Sequence, residues 1–274
     1  MSRTRAPAKF RMAAVGGTFD RLHRGHRALL LAAFGAAGRV GIGLTTDEFL
    51  RTHPKPGARR IRPFDVRRAE LLRYLRRHFR GRDYRIVPLR DPLGGAVDRE
   101  VEVLVVSEET ASGARAVNRE RRRRRIPPVA IRTIPMVRGD DHRPIAGRRL
   151  RDGTIDPEGH RRAPLSIAVA LSDASRLRPL RRAIAHEFAP APIRWRGTRA
   201  LRRRAGEKGA VTARRAARVQ ARRAEIGIAF VTGRDGRTAL AVHDPEGPAG
   251  VAIGPSSTVR TLSRLVHRAI TGPR

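Results

Sequence analysis

"GGTFDRLHRGHRALLLAAF", residues 16–34, decides how the rest of the chain reads. It follows a short apolar run, FRMAAV at 10–15, and leads into Ala28, Leu29, Leu30, Leu31, Ala32 and Phe34, the material of a strongly apolar helix. A strand, a Gly-Gly turn and a helix opening present backbone N–H groups to an anion, because the first turn of a helix has donors without intrahelical acceptors. His23 and His26 fall in that first turn, straddling Gly25, where imidazoles would sit against the same anion. A single histidine is usually a surface or core residue. Two of them beside a glycine, after Gly16-Gly17-Thr18 at a strand end, point to phosphate chemistry. Gly25 has no Cβ and lets backbone approach a ligand closely, and Thr18 offers a hydroxyl.

Composition narrows the class. With 274 residues and 40% hydrophobic content, the chain has room for one large or two ordinary domains with real cores. It contains no cysteine, which excludes disulfides, thiolate metal sites and a cysteine nucleophile. No signal-peptide pattern follows the basic start MSRTRAPAKF, and the longest apolar run, 28–38, is too short to span a bilayer. The expectation is a cytoplasmic protein that does not engage a membrane. The net charge is +35, carried by 57 arginines and only three lysines, Lys9, Lys55 and Lys208. Position 164 is preceded by 38 basic and 18 acidic residues and followed by 22 and 7, so the excess is spread over both halves. That spread reads as compositional bias, yet it predicts nonspecific, salt-sensitive binding to polyanions. The run RERRRRR, Arg119 to Arg125, reads as the solvated end of a helix, with an RNA or targeting patch as the sharper alternative.

The first 160 residues alternate. Apolar, β-branched runs at 10–15, 39–45, 84–89, 101–106 and 129–135 predict buried parallel strands, and amphipathic patterns near 25–37, 64–79 and 108–123 predict helices between them. The fold class is therefore α/β, a Rossmann-like doubly wound parallel sheet with ligands at the carboxyl ends of its strands. GGTFD after the first strand and SEET after the fourth lie at such ends. A Gly-, Pro- and charge-rich stretch at 153–166 marks a boundary, giving domains at 1–160 and 164–274. The second is expected to be a smaller α/β domain with strands at LSIAVAL, 226–232 and 238–243 and a helix at 176–187. Residues 195–223, almost all Arg and Ala, are expected to form a loosely held helix.

The residues GGTFDRLHRGHRALL resemble the signature of the nucleotidyltransferase superfamily whose motif is His-x-Gly-His, here His23-Arg24-Gly25-His26. GLTTDEFL at 43–50, RPFDVR at 62–67, VLVVSEETASGARAVNRER at 103–121 and RLRDGTIDPEG at 149–159 are similar to the archaeal-type pantetheine-phosphate adenylyltransferases, in the same order, over about 150 residues. The resemblance implies transfer of AMP from ATP to 4′-phosphopantetheine, giving dephospho-coenzyme A and pyrophosphate. It implies that His23 and His26 hold the α- and β-phosphates, that Thr18 holds the attacking phosphate, and that Gly17, Thr18, Phe19 and Gly25 frame the nucleotide. Ser107, Glu108, Glu109 and Thr110 would line the adenine and ribose, and Arg149 and Arg151 the outer phosphates. Lys55 or Arg51 would meet the incoming phosphate, and Mg²⁺ would arrive with ATP rather than in a protein metal site.

Departures from the family pattern accompany it. The family's second phosphate loop, Ile-Ser-Ser-Thr-Arg-Ile-Arg, is here Ile145-Ala146-Gly147-Arg148-Arg149-Leu150-Arg151, without its hydroxyls, and the glycine-proline stretch near residue 94 reads DPLGGAV. IAVALSDASRLRPLRRAI at 167–184 and RRAEIGIAF at 222–230 faintly resemble inosine/xanthosine triphosphatases, with Ala229 where that family has a glutamate. The second half thus reads as a degenerate triphosphatase-like domain or as an unrelated basic extension. A rival to the enzyme reading is a basic nucleic-acid-binding protein built on a catalytically decayed nucleotidyltransferase fold.

Overall fold

The computed structural model describes residues 9–54, 58–201, 207–232, 237–247, 249–254 and 259–272. They form two compact units, Met1–Val137 with Ile145–Asp152, and Arg138–Pro144 with Gly153–Arg274. The chain thus passes between units at 137/138, 144/145 and 152/153, and residues 153–160 pack with the second unit. Within that unit, Ile155 and Arg161 form an antiparallel bridge, and Asp140 N–H donates to the Gly159 carbonyl at 3.1 Å.

The first unit runs β1 (Phe10–Gly17), α1 (Arg24–Ala36), β2 (Ala37–Thr45), α2 (Asp47–Thr52), α3 (Phe64–His78), β3 (Asp83–Leu89), β4 (Val103–Ser107), α4 (Ala111–Arg123), β5 (Ala130–Ile134) and α5 (Gly147–Arg151). Its five strands are all parallel, in the order β3-β2-β1-β4-β5. This is the doubly wound sheet expected from the alternation. The order reverses between β1 and β4, so the turns leaving those two strands meet at a switch point, where such sheets bind ligands.

The period-2 alternation of β1 and β2 sorts their side chains between two faces. Ala13, Val15, Val40, Ile42 and Leu44 pack under Leu30, Ala33 and Phe34 of α1 and Leu71 and Leu75 of α3. Met12, Ala14, Leu104 and Val106 face Ala114 and Val117 of α4 on the other side. The short α2 went unforeseen, although Thr46 caps it by accepting from Phe49 N–H at 3.1 Å, with Asp47 and Glu48 in the first turn.

The second unit runs β6 (Leu165–Leu171), α6 (Leu177–Glu187), β7 (Ile193–Ala200), α7 (Gly209–Ala221), β8 (Ile226–Thr232), β9 (Thr238–His243), β10 (Ala249–Gly254) and α8 (Val259–Thr271). Its mixed sheet has the order β10-β9-β8-β6-β7, with β7 and β8 parallel to β6 and β8-β9-β10 antiparallel. Here the structure corrects the expectation of one loose helix over 195–223. Residues 193–200 are a strand, because Ile193 and Trp195 alternate with exposed arginines, and Arg181 lies 4.9 Å from the Trp195 ring centre. The helix that follows is held closely. Ala213, Ala216 and Ala217 of α7 are buried against Ala170, Ala229 and Ala241, and a methyl group at Gly227 would collide with the Ala217 carbonyl. Small residues on both surfaces replace a large apolar stripe. Among the described residues no helix is long and apolar enough to cross a membrane.

Candidate functional site

The turn after β1 carries strain. Phe19 and Arg21 have φ of 46° and 50°, a left-handed conformation that costs bulky residues about 1 kcal/mol or more each. Phe19 is nevertheless fully buried, with its ring against Gly17, where a Cβ would come within 3.2 Å of it. Asp20, also buried, accepts from Arg62 Nε at 2.9 Å and lies 3.4 Å from Arg151 Nη1, and Arg62 also pairs with Glu70.

A fully buried arginine braces this turn from below. Arg67 donates to the carbonyls of Thr18 at 2.9 Å, Thr45 at 2.8 Å and Arg62 at 2.7 Å, and to Asp47 Oδ1 at 2.7 Å. It ties the carboxyl ends of β1 and β2 to the start of α2. Sequence reasoning quoted RPFDVR but missed this residue and Asp20. Their signal is chemical only after folding, since neither falls in a spacing that marks a ligand site.

His23 and His26 are brought together at the start of α1. Their rings stack at 3.8 Å between centres and 26°, and the Phe19 ring lies 5.1 Å from that of His26. The space beside Gly25 is filled by the His23 ring, whose Cε1 would lie 3.0 Å from an added Cβ. The glycine therefore serves the histidine as well as any ligand. No acidic residue occupies the first turn of α1. His23 is 5% exposed, its Nδ1 has no hydrogen-bond partner, and its pKa falls to about 4. Burial is the main cause, helped by Arg27 and opposed by Asp20. At neutral pH this is an uncharged imidazole with an unsatisfied ring nitrogen.

The loop 145–151 lies beside it. The Ile145 carbonyl would be 3.7 Å from a Cβ on Gly25, Arg149 is buried, and Arg151 reaches Asp20. Ala146 sits at the N-cap of α5 in extended conformation with no side-chain cap. Across the switch point, Ser107 and Thr110 hydroxyls are 3.2 Å apart, and Glu108 accepts from Met136 N–H at 3.1 Å.

A cavity of about 660 Å³ opens on the sheet face that α4 covers only in part. Gly16, Gly41 and Gly43 form its floor, with Gly16 and Gly43 paired in register, and contribute no side chain of their own to the space, although Met12 and Leu89 reach over Gly41 and Gly43. Leu89, Val106 and Leu93 supply apolar walls, and Glu109 and Thr110 polar edges. Phe49 and His53, stacked at 4.4 Å, also line it, whereas Arg51 is exposed on α2 outside the lining. Lys55 lies outside the described residues. The alternation Gly41-x-Gly43 inside a strand was the available sign of this cavity.

A Cytidylyltransferase-like family model matches residues 14–143. The phosphopantetheine adenylyltransferase of Methanothermobacter thermautotrophicus is 45% identical over 153 residues, 56% of this chain and 90% of that protein. That of Thermococcus kodakarensis is 43% identical over 153 residues, 55% of this chain and 90% of that protein. The bifunctional phosphopantetheine adenylyltransferase/NTP phosphatase of Thermoplasma volcanium is 34% identical over 165 residues, 60% of this chain and 49% of that protein. The parallel sheet, the histidine pair at its switch point and these identities agree: the chain belongs to the phosphopantetheine adenylyltransferase family.

Proposed function

We propose that the first unit transfers the adenylyl group of ATP to 4′-phosphopantetheine, releasing pyrophosphate. A terminal phosphate oxygen of phosphopantetheine bonds to the α-phosphorus. The bond from that phosphorus to the oxygen bridging the β-phosphate breaks, and its electron pair leaves with pyrophosphate. No covalent enzyme intermediate is involved, so the protein's contribution is positioning and charge stabilisation.

The observation that carries this reading is the stacked His23/His26 pair at the switch point. Two imidazole donors there would meet the α- and β-phosphates as charge builds between them. Thr18, its carbonyl fixed by Arg67, would hold the attacking phosphate, while Gly17, Phe19 and Gly25 shape the turn around the nucleotide. Ser107 to Thr110 border the adenosine side, and Arg149 and Arg151 lie toward the outer phosphates. The glycine-floored cavity has apolar walls that suit a pantetheine arm, and the cation read as meeting the arm's phosphate is Lys55, which lies outside the described residues, or Arg51 of α2. The Mg²⁺ that accompanies ATP fits a donor set of imidazole and cationic groups only as a passenger. Among the described residues no cluster of three acids or histidines would hold it, and phosphate and water oxygens are its natural ligands.

Loss of hydroxyls at Ala146, Gly147 and Arg148 removes contacts to the outer phosphates but not the histidines, which favours the enzyme over a decayed relative. The second unit is read as lacking triphosphatase chemistry. Ala229 is fully buried beneath α7, where a metal-binding carboxylate would have neither a metal nor water. The test is an assay of the full chain with ATP, Mg²⁺ and phosphopantetheine, following pyrophosphate, with His26→Ala as background. Turnover about 10² or more above that background is expected. Turnover equal to it would sink the proposal.

A further inference from the structure

The helices α6 and α8 lie side by side on one face of the second sheet, joined by Leu180, Ala183 and Ile184 on one side and Leu262, Leu265, Val266, Ala269 and Ile270 on the other. Along their outer edge runs a groove of about 600 Å³. Arg260, Arg264 and Arg268 line it at four-residue intervals along α8, together with His186 and His267. Arg178 and Arg182 stand exposed on α6, eight and four residues before His186, and continue the same spacing on the neighbouring helix. The groove's one lining carboxylate, Glu187, is engaged by His267, at 3.0 Å, and by His142, at 3.5 Å. Arg260 and Arg264 are exposed and carry no ion pair among the described residues.

We propose that this groove binds the phosphodiester backbone of a single-stranded nucleic acid. The inference is independent of the adenylyl-transfer reading, because every residue in it belongs to the second unit. Four residues of helix advance about 6 Å, a step comparable with the separation of successive phosphates along an extended strand. Three arginines then track about 12 Å of backbone, more than a single phosphate group would occupy. His186 and His267 supply flat rings on which unstacked bases can rest. An anionic membrane is a poorer fit. The exposed side chains described on α8 are those of Arg260, Arg264, His267, Arg268 and Thr271, none of them a large apolar group to enter a bilayer.

The competing explanation is the +35 charge of the whole chain, and the experiment separates the two. Fluorescence anisotropy would follow a labelled oligouridylate binding to the full chain across a salt series. The same series would be run for R260A/R264A/R268A and for R73A/R76A/R77A, which removes three exposed arginines from α3 and leaves the same net charge. The groove variant is expected to lose affinity about tenfold or more and to lower the slope of log K against log salt by about 2, since each single-strand phosphate contact contributes about 0.7. The α3 variant is expected to change affinity less than twofold. Equal losses in the two variants would overturn the proposal in favour of diffuse charge, as would unchanged binding in the groove variant. Phosphatidylserine vesicles bound more tightly than the oligonucleotide, and released by the groove variant alone, would overturn it in favour of a membrane. Both variants should retain wild-type adenylyl transfer and melting temperature, which confirms that they are folded.

Discussion

His23 shows how burial sets the chemistry of one side chain. Its pKa of about 4 lies below the 6.5 of an unfolded imidazole, so between those values the unfolded chain binds the extra proton. The stability that follows from a neutral His23 is complete above pH 6.5 and is lost as pH falls toward 4, at up to about 1.4 kcal/mol per unit. Urea unfolding at pH 7 and pH 4.5 should therefore show a larger acid loss for wild type than for His23→Gln. Equal losses would mean that His23 does not titrate in this window. The reason for Gly25 is also visible only at this scale. The motif suggested backbone approach to a ligand, and the structure adds a steric demand from the His23 ring. Arg67 extends the lesson: it is one arginine among 57, and its full burial and four acceptors make it the brace of the Thr18 turn.

Among the elements, the strands and long helices of the first unit follow their sequence patterns closely. The strand expected at 10–15 extends to Gly17 and the helix expected at 64–79 ends at His78, because hydrophobic periodicity marks interiors of elements better than their ends. The basic run at 119–125 is mostly the exposed end of α4, with Arg123 and Arg124 paired to Glu120. Arg121 departs from it. It is buried and donates to the carbonyls of Ala96 at 3.1 Å, Asp98 at 2.8 Å and Pro127 at 2.6 Å, fastening one wall of the cavity. Of the named helices α5 is the shortest, with five residues and no side-chain N-cap. Ala146→Ser would supply an acceptor there, worth about 1 kcal/mol. A lower KM for ATP and a slightly higher melting temperature are expected. Unchanged values in steady-state kinetics and calorimetry would show that the loop needs no cap.

In the whole molecule, the segment 138–144 belongs with residues far along the chain. Arg143 donates to Asp244 at 2.6 and 2.9 Å and to Glu225 at 2.7 Å, while Arg161 reaches Asp141 at 2.9 Å and Glu225 at 3.1 Å. Burial pushes the Asp244 carboxyl up, against the pull of Arg143. Breaking such a buried network leaves an uncompensated charge, so Asp244→Ala should destabilise the second unit by about 3–5 kcal/mol. Denaturant melts of the full chain would reveal this as an earlier transition of that unit, and a loss below about 1 kcal/mol would show the network to be dispensable. What the sequence by itself determined was the α/β alternation, the strand–turn–helix that carries His23 and His26, and the family. These are written in near neighbours: period-2 and helical patterns, a Gly-Gly turn, and histidines three apart. Tertiary structure alone decided which arginines are buried braces, that 193–200 pairs as a strand, and that 138–144 joins the second unit. Arg67, Arg121 and Arg143 carry the same letter as their exposed counterparts. Beside one near carbonyl each for Arg67 and Arg121, it is residues brought close from about 20 to 100 positions away that supply the acceptors making burial of their charge tolerable.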